Sequence, residues 1–234
     1  MNQPVILTDA NRIAAAVDAE LRALPVQNTP NERAVRRKYS LLLRSANADF
    51  VLDVARNLLE ERRGFAYELI AARPEALRSI GEAELEEFGQ GIHSWESADS
   101  FARTLAGPVW LRGQVDDELM NRWARSEDRW WRRAALVSTV ALNVRSHGGK
   151  GDARRTLAVC RLLAADHDDM VAKALSWALR ELVVHDAQAV RDFLDQYDAV
   201  LPARVKREVR HKLATGLKNP RPNRLQAGSF ASCS

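Results

Sequence analysis

Cysteine is almost missing from this chain. Its 234 residues contain two, Cys160 and Cys233, too few and too far apart for a disulfide framework or a metal knuckle. Histidine is scarce too. His93, His147, His167, His185 and His211 stand singly, without paired spacing, so no metal site is expected. No apolar run approaches the roughly 20 residues of a membrane-spanning helix. The opening MNQPVILTDANR has neither the basic start nor the apolar stretch of a secretory signal, which makes a reducing cytoplasm the expected compartment. Runs of alternating β-branched residues bounded by turns are lacking, so strands are not expected. The glycines of SHGGKGD (146–152) come without a GK[ST] ending or a preceding strand; the stretch reads as a flexible loop between helical units. With no G-x-S-x-G elbow either, conventional hydrolases and kinases are set aside, and no cofactor is expected.

What remains is helix. The chain is 46% hydrophobic and 28% charged, a balance that suits a folded domain with a substantial core. TPNERAVRRKYSLLLRSA has Thr29 as N-cap, Pro30 at the first helical position and Glu32 at the third. Val35, Tyr39, Leu42 and Leu43 follow at helical spacing. NADFVLDVARNLLEERR starts at an Asn cap and carries Phe50, Val51, Val54 and Leu58 on one stripe, and Gly81 and Gly89 punctuate shorter pieces after it. About a dozen helices are expected from typical helix lengths. One domain is expected over residues 1–218, with 219–234 (NPRPNRLQAGSFASCS) a disordered tail.

The second half repeats. SEDRWWRRAALVSTVAL (126–142) set above DHDDMVAKALSWALREL (166–182), a shift of 40 residues, aligns Asp128 with Asp168, Arg133 with Lys173, Ala134 with Ala174 and Leu142 with Leu182. A weaker third copy opens at LPARVKREVRHKLATGL. A helical period of about 40 belongs to solenoids of stacked helix pairs; an irregular bundle with a chance resemblance is the alternative. Charge is lopsided as well: 12 Lys+Arg face 16 Asp+Glu over residues 1–99, but 23 face 15 over residues 100–234. Most of the surplus is arginine, which suits bidentate phosphate contacts and points to an anionic partner, nucleic acid above all. Equivalent helices of a solenoid would place such cations on one surface.

Five of the six tryptophans fall between residues 95 and 131. Core packing accounts for Trp110, Trp123 and Trp130. Trp95 and Trp177 have different neighbours. Trp95 follows Ser94, a good N-cap, and shares a helical face with Asp99 on a helix that runs to a stop at Gly107-Pro108; Trp177 lies four residues after Lys173. From spacing alone, Asp99 reads more simply as an exposed pair with Arg103 than as a catalytic acid.

Four blocks together, SWESAD (94–99), WWRRAALVST (130–139), KALSWALRE (173–181) and ARVKREV (203–209), resemble the AlkD-type alkylpurine DNA glycosylases, the HEAT-like repeat DNA alkylation repair family, over roughly residues 30–220. The resemblance implies an all-α, C-shaped superhelix with duplex DNA across a basic concave face. It implies that Asp99 is the catalytic carboxylate, that Trp95 and Trp177 pack against the deoxyribose of the damaged nucleotide, and that Arg133 holds the DNA backbone. Lys173, Lys206, Arg207 and Arg210 are further candidates for backbone contacts, with a solvated helix face as their alternative. One departure is Ser94, where a member of the family has a second aromatic.

The implied reaction needs few groups. Alkylation at N3 or N7 makes a purine cationic and already a good leaving group, so a general acid is dispensable, unlike in two-carboxylate glycosidases. One carboxylate beside an oxocarbenium-like sugar can supply counter-charge and accept from the attacking water. The expectation is therefore a monofunctional, monomeric glycosylase acting on duplex DNA that contains alkylated purines, nucleoid-associated when bound and not reliant on flipping the base into a tight pocket. A non-catalytic binder of damaged or branched DNA is the alternative, and a helical scaffold for protein partners is a third reading.

Overall fold

Asp, Asn or Ser side chains cap eight of the helices within residues 9–217, the part of the chain described by the structure, a computed structural model. No strand occurs among these residues. The first half comprises α1 (Ala10–Arg22), α2 (Thr29–Leu42), α3 (Ala48–Arg56), α4 (Arg63–Ala71), α5 (Pro74–Arg78) and α6 (Glu82–Gly89). Then come α7 (Trp95–Phe101), a π-turn (Ala102–Ala106), α8 (Gly107–Leu111), α9 (Asp117–Ala124), α10 (Arg129–Asn143), α11 (Ala153–Leu162), α12 (Asp169–Leu182), α13 (Ala187–Gln196) and α14 (Ala203–Thr215). Helices α2, α4, α7, α10, α12 and α14 pack each on the next in one row. Behind that row, α1 packs on α3, α3 on α5, and α9 on α11. Two stacked rows are the arrangement of a helical-repeat solenoid.

The 40-residue period is a structural one. Asp128 Oδ1 accepts from the N–H of Trp130 at 2.8 Å and caps α10; Asp168 Oδ1 accepts from the N–H of Met170 at 2.9 Å and caps α12. The paired alanines and leucines of the alignment, Ala134 with Ala174 and Leu142 with Leu182, are all buried. One apolar cluster runs from Ile13 in α1 to Val209 in α14, and a fully buried Leu, Ile or Phe contributes about 1.5–3 kcal/mol each. Trp110 and Trp123 belong to it as expected, whereas Trp130 is only partly buried and carries the Arg129 guanidinium over its ring at 5.3 Å.

Three local expectations need correction. The cap of α2 is Asn28, whose Oδ1 accepts from the N–H of Asn31 at 3.0 Å; Thr29 is already helical. Pro30 remains in the first turn, where a missing N–H costs nothing. Next, the helix begun at Trp95 does not stop at Gly107-Pro108 but continues to Leu111. Pro108 cannot donate, and its ring would strike the carbonyl four residues back. The chain answers by widening one turn, so that the N–H of Gly107 bonds to the carbonyl of Ala102. Finally, the glycine loop 146–152 is tied down. Asn143 Oδ1 accepts from the N–H of Asp152 at 3.1 Å, and the N–H of Gly151 bonds to the carbonyl of Leu142 at 3.1 Å. A Cβ on Gly149 would lie 2.4 Å from the Ala141 carbonyl oxygen, so the glycine is there for close approach. The stretch 219–234 lies outside the described residues.

Candidate functional site

Where α7, α10 and α12 meet in the row, a recess of about 350 Å³ opens, lined by Trp95, Asp99, Arg133, Met170, Lys173, Trp177 and Arg180. Five residues singled out in the sequence thus come together from three helices. Each is delivered by a local device. Ser94 Oγ accepts from the N–H of Ser97 at 3.2 Å, starting α7 so that Trp95 and Asp99, four apart, share the face that looks into the recess. Arg133 and Lys173 are equivalent positions of the repeat, each on the first turns of a capped helix. Trp95 is 51% exposed, an indole left uncovered on the surface of a protein that buries Trp110 and Trp123 well.

Asp99 is not an exposed partner of Arg103. Arg133 grips it in a bidentate pair, Nε to Oδ1 and Nη2 to Oδ2, both at 2.8 Å. The third guanidinium nitrogen, Nη1, donates to the Met170 carbonyl at 2.5 Å. One arginine therefore ties α7, α10 and α12 together, and it is only 6% exposed. The fork geometry fixes the plane of the carboxylate and uses one acceptor direction of each oxygen, leaving the others free. Arg103, one turn along from Asp99, instead places its guanidinium 5.6 Å from the ring centroid of Trp177.

The wall formed by α12 is polar at its rim. Trp177 Nε1–H donates to Glu181 Oε1 at 3.0 Å. Lys173 Nζ lies 2.6 Å from Asp169 Oδ2, and this bond, more than the nearby Arg204 and Arg133 charges, holds the Asp169 carboxyl below its usual value. Arg180 Nε donates to the Ser176 carbonyl at 3.1 Å, and Arg204 of α14 reaches Glu208 at 3.1 Å and Asp169 at 3.6 Å. Met170, Arg180 and Arg204 do not stand out in the sequence, and Arg103 is expected there only as an exposed partner of Asp99.

The α14 candidates divide. Val205 and Val209 form its buried stripe, and the basic residues fall on either side of it. Lys206 Nζ donates to the Asp198 carbonyl at 2.9 Å, and Arg210 Nη2 reaches Asp198 Oδ1 at 2.6 Å. Both turn toward the loop after α13, on the flank opposite Arg204 and Glu208, and away from the recess. Arg207 is exposed between the flanks. Among the described residues, no group of three or more His, Cys, Asp or Glu side chains gathers as metal ligands, and no helix is long and apolar enough to cross a membrane.

No curated protein matches the chain. A family model described as DNA alkylation repair enzyme matches residues 8–213. That span takes in every helix from α1 to the greater part of α14, and with them all the side chains that build the recess. The chain belongs to the DNA alkylation repair enzyme family.

Proposed function

We propose that this protein is a monofunctional DNA glycosylase that hydrolyses the N-glycosidic bond of N3- or N7-alkylated, cationic purines in duplex DNA and leaves an abasic site. The observation that carries the reading is a carboxylate of fixed plane, Asp99, lining one open recess with the indoles of Trp95 and Trp177. As the glycosidic bond breaks, its electron pair leaves with the base, which departs neutral, and positive charge develops at C1′ and the ring oxygen of the sugar. Asp99 lies where it would face that charge and accept a proton from the water that attacks C1′. The indole faces exclude water and favour a cation, and the carboxylate acts more strongly for it.

Arg133, buried and committed to Asp99 and Met170, is assigned to positioning the acid rather than to the DNA backbone. Backbone contacts then fall to the rim, to Lys173, Arg204 and Arg207, which would hold a duplex without reading its sequence. Lys206 and Arg210 serve to attach α14 to the loop after α13. Recognition through sugar and backbone, with no enclosing slot for the base, would tolerate bulky adducts. The protein is expected to act alone, as a monomer on chromosomal DNA in the cytoplasm.

The test is single-turnover release of 7-methylguanine from a defined duplex, comparing wild type with Asp99→Asn at saturating protein and at a temperature where both are folded. A stabiliser of this kind is worth about 10²–10³ in rate, so release by the wild type should fall by that factor. Release unchanged by the substitution would move the chemistry off Asp99. A wild type that binds the duplex and releases nothing would make the protein a non-catalytic binder.

A further inference from the structure

Trp177 is fixed from two directions. Its indole edge is held by Glu181, one turn further along α12, through the 3.0 Å bond from Nε1–H to Oε1. Across its face lies the guanidinium of Arg103. Arg103 is exposed and has no carboxylate partner among the described residues, whereas Arg133 has Asp99, Lys173 has Asp169, Arg180 has Glu208, and Arg204 has Asp169 and Glu208. Asp99, one turn back, is taken up by Arg133, and the Arg103 guanidinium lies over α12 instead. The π-turn at Ala102–Ala106 begins beside it, and such turns recur at functional sites.

We infer that Arg103 and Glu181 are positioning residues, a two-sided clamp that sets the angle of the Trp177 indole against the sugar held over Asp99. The inference rests on the glycosylase reading and adds to it two residues that touch neither the sugar nor the base. Glu181 fixes the ring's rotation in its own plane through the N–H, and Arg103 limits its tilt by lying over the face. The width of the recess between Trp95 and Trp177 is then set by the chain before substrate arrives.

Four variants and one background test it. Arg103→Met keeps side-chain length without charge, and Glu181→Leu removes the acceptor; each should slow single-turnover base release about two- to tenfold, the range that a lost exposed cation–π contact or an ordinary net hydrogen bond represents. Arg103→Lys and Glu181→Gln, which keep a cation or an acceptor, should recover most of the loss. In a Trp177→Ala background, Arg103→Met and Glu181→Leu should have no further effect, because their action passes through the indole. A readout independent of catalysis is ¹⁹F NMR of protein labelled with 5-fluorotryptophan, the Trp177 resonance being assigned from Trp177→Phe. That resonance should shift or broaden in Arg103→Met and in Glu181→Leu while the buried Trp110 signal stays put. An unmoved Trp177 signal, or rate losses that persist undiminished without Trp177, overturns the clamp. A wild type that releases no base overturns the glycosylase reading instead, and the NMR arm still decides the clamp.

Discussion

The ion pair between Asp99 and Arg133 should be worth more to the fold when broken than when absent altogether. Their side chains are 16% and 7% exposed, so removing one partner strands the other where water reaches it poorly. Breaking such a buried pair costs about 3–5 kcal/mol. Arg133→Met leaves Asp99 uncompensated and also frees the Met170 carbonyl, which puts it in the upper part of that range. For a chain of this size each kcal/mol lowers Tm by about 2–4 °C, so the variant should melt about 8–20 °C early. Asp99→Asn turns an amide NH₂ toward a guanidinium N–H, trading an accepted hydrogen bond for two opposed donors, and should cost about 1–3 kcal/mol. The double variant Asp99→Leu/Arg133→Met removes both charges and fills the space with apolar atoms, which is often near neutral; it should be more stable than Arg133→Met alone. Urea denaturation of the four proteins in a cycle completed by Asp99→Leu measures this. Single losses that add to within about 0.3–0.5 kcal/mol in the double variant would show that the two residues do not act as a pair, and would remove the basis for giving Arg133 a positioning role.

Two further outcomes follow from packing and charge elsewhere. Gly107→Ala should destabilise the protein even though alanine is the better helix former, because the new Cβ would lie 2.7 Å from Ala141 Cβ and 2.8 Å from the Ser138 carbonyl oxygen, an overpacking that costs about 1–3 kcal/mol; an alanine variant as stable as wild type in urea would refute the close approach of the π-turned helix to α10. The Asp18 carboxyl, hydrogen-bonded by Arg62 foremost and flanked by Arg22, is held below its ordinary value of 3.8. A depressed pKa contributes stability above the ordinary value that is lost as pH falls through the depressed one. Asp18→Asn should therefore lower Tm at pH 7 and converge with wild type as pH drops below about 4; a difference that stays constant down to pH 2 would contradict the pairing.

Much of the fold was legible because its determinants are local. Asp128 and Asp168 announce two helix starts 40 residues apart, and the small apolar residues behind them announce what those helices bury. Five recess residues were legible too: Trp95 and Asp99 by spacing and family resemblance, Arg133 and Lys173 by repeat and resemblance, and Trp177 by resemblance. What the sequence hid depends on neighbours that are distant along the chain. The i,i+4 spacing of Asp99 and Arg103 predicts a pair, but Arg133, from a helix further along the row, takes both carboxylate oxygens. On α14, the valine stripe divides the basic residues into two flanks, but which flank faces the recess is decided by how α14 lies on α12. Hence Arg204 went unremarked while Lys206 and Arg210, tied to Asp198, were counted as candidates. The loop 146–152 looked flexible because glycine permits flexibility, yet here glycine serves contact between backbones.

The repeat also explains why this site has one acid. Arg133 and Lys173 occupy the same position in successive units, and both look into the recess. Their fates differ because of what the preceding helix in the row offers. α7 sets Asp99 against α10, and Arg133 becomes a buried, three-bonded fixture. α10 sets no carboxylate against α12 at the equivalent place; Lys173 finds only Asp169 of its own first turn and stays 40% exposed. The same repeat position thus supplies a buried cation bonded to an acid of the preceding helix, and a half-exposed one paired only within its own first turn. A solenoid yields such a pair without any new backbone, since one acidic substitution on one helix of the row separates the two roles. On this argument, an acid introduced on α10 to face Lys173 would immobilise it and weaken duplex binding, leaving the Asp99 pair undisturbed.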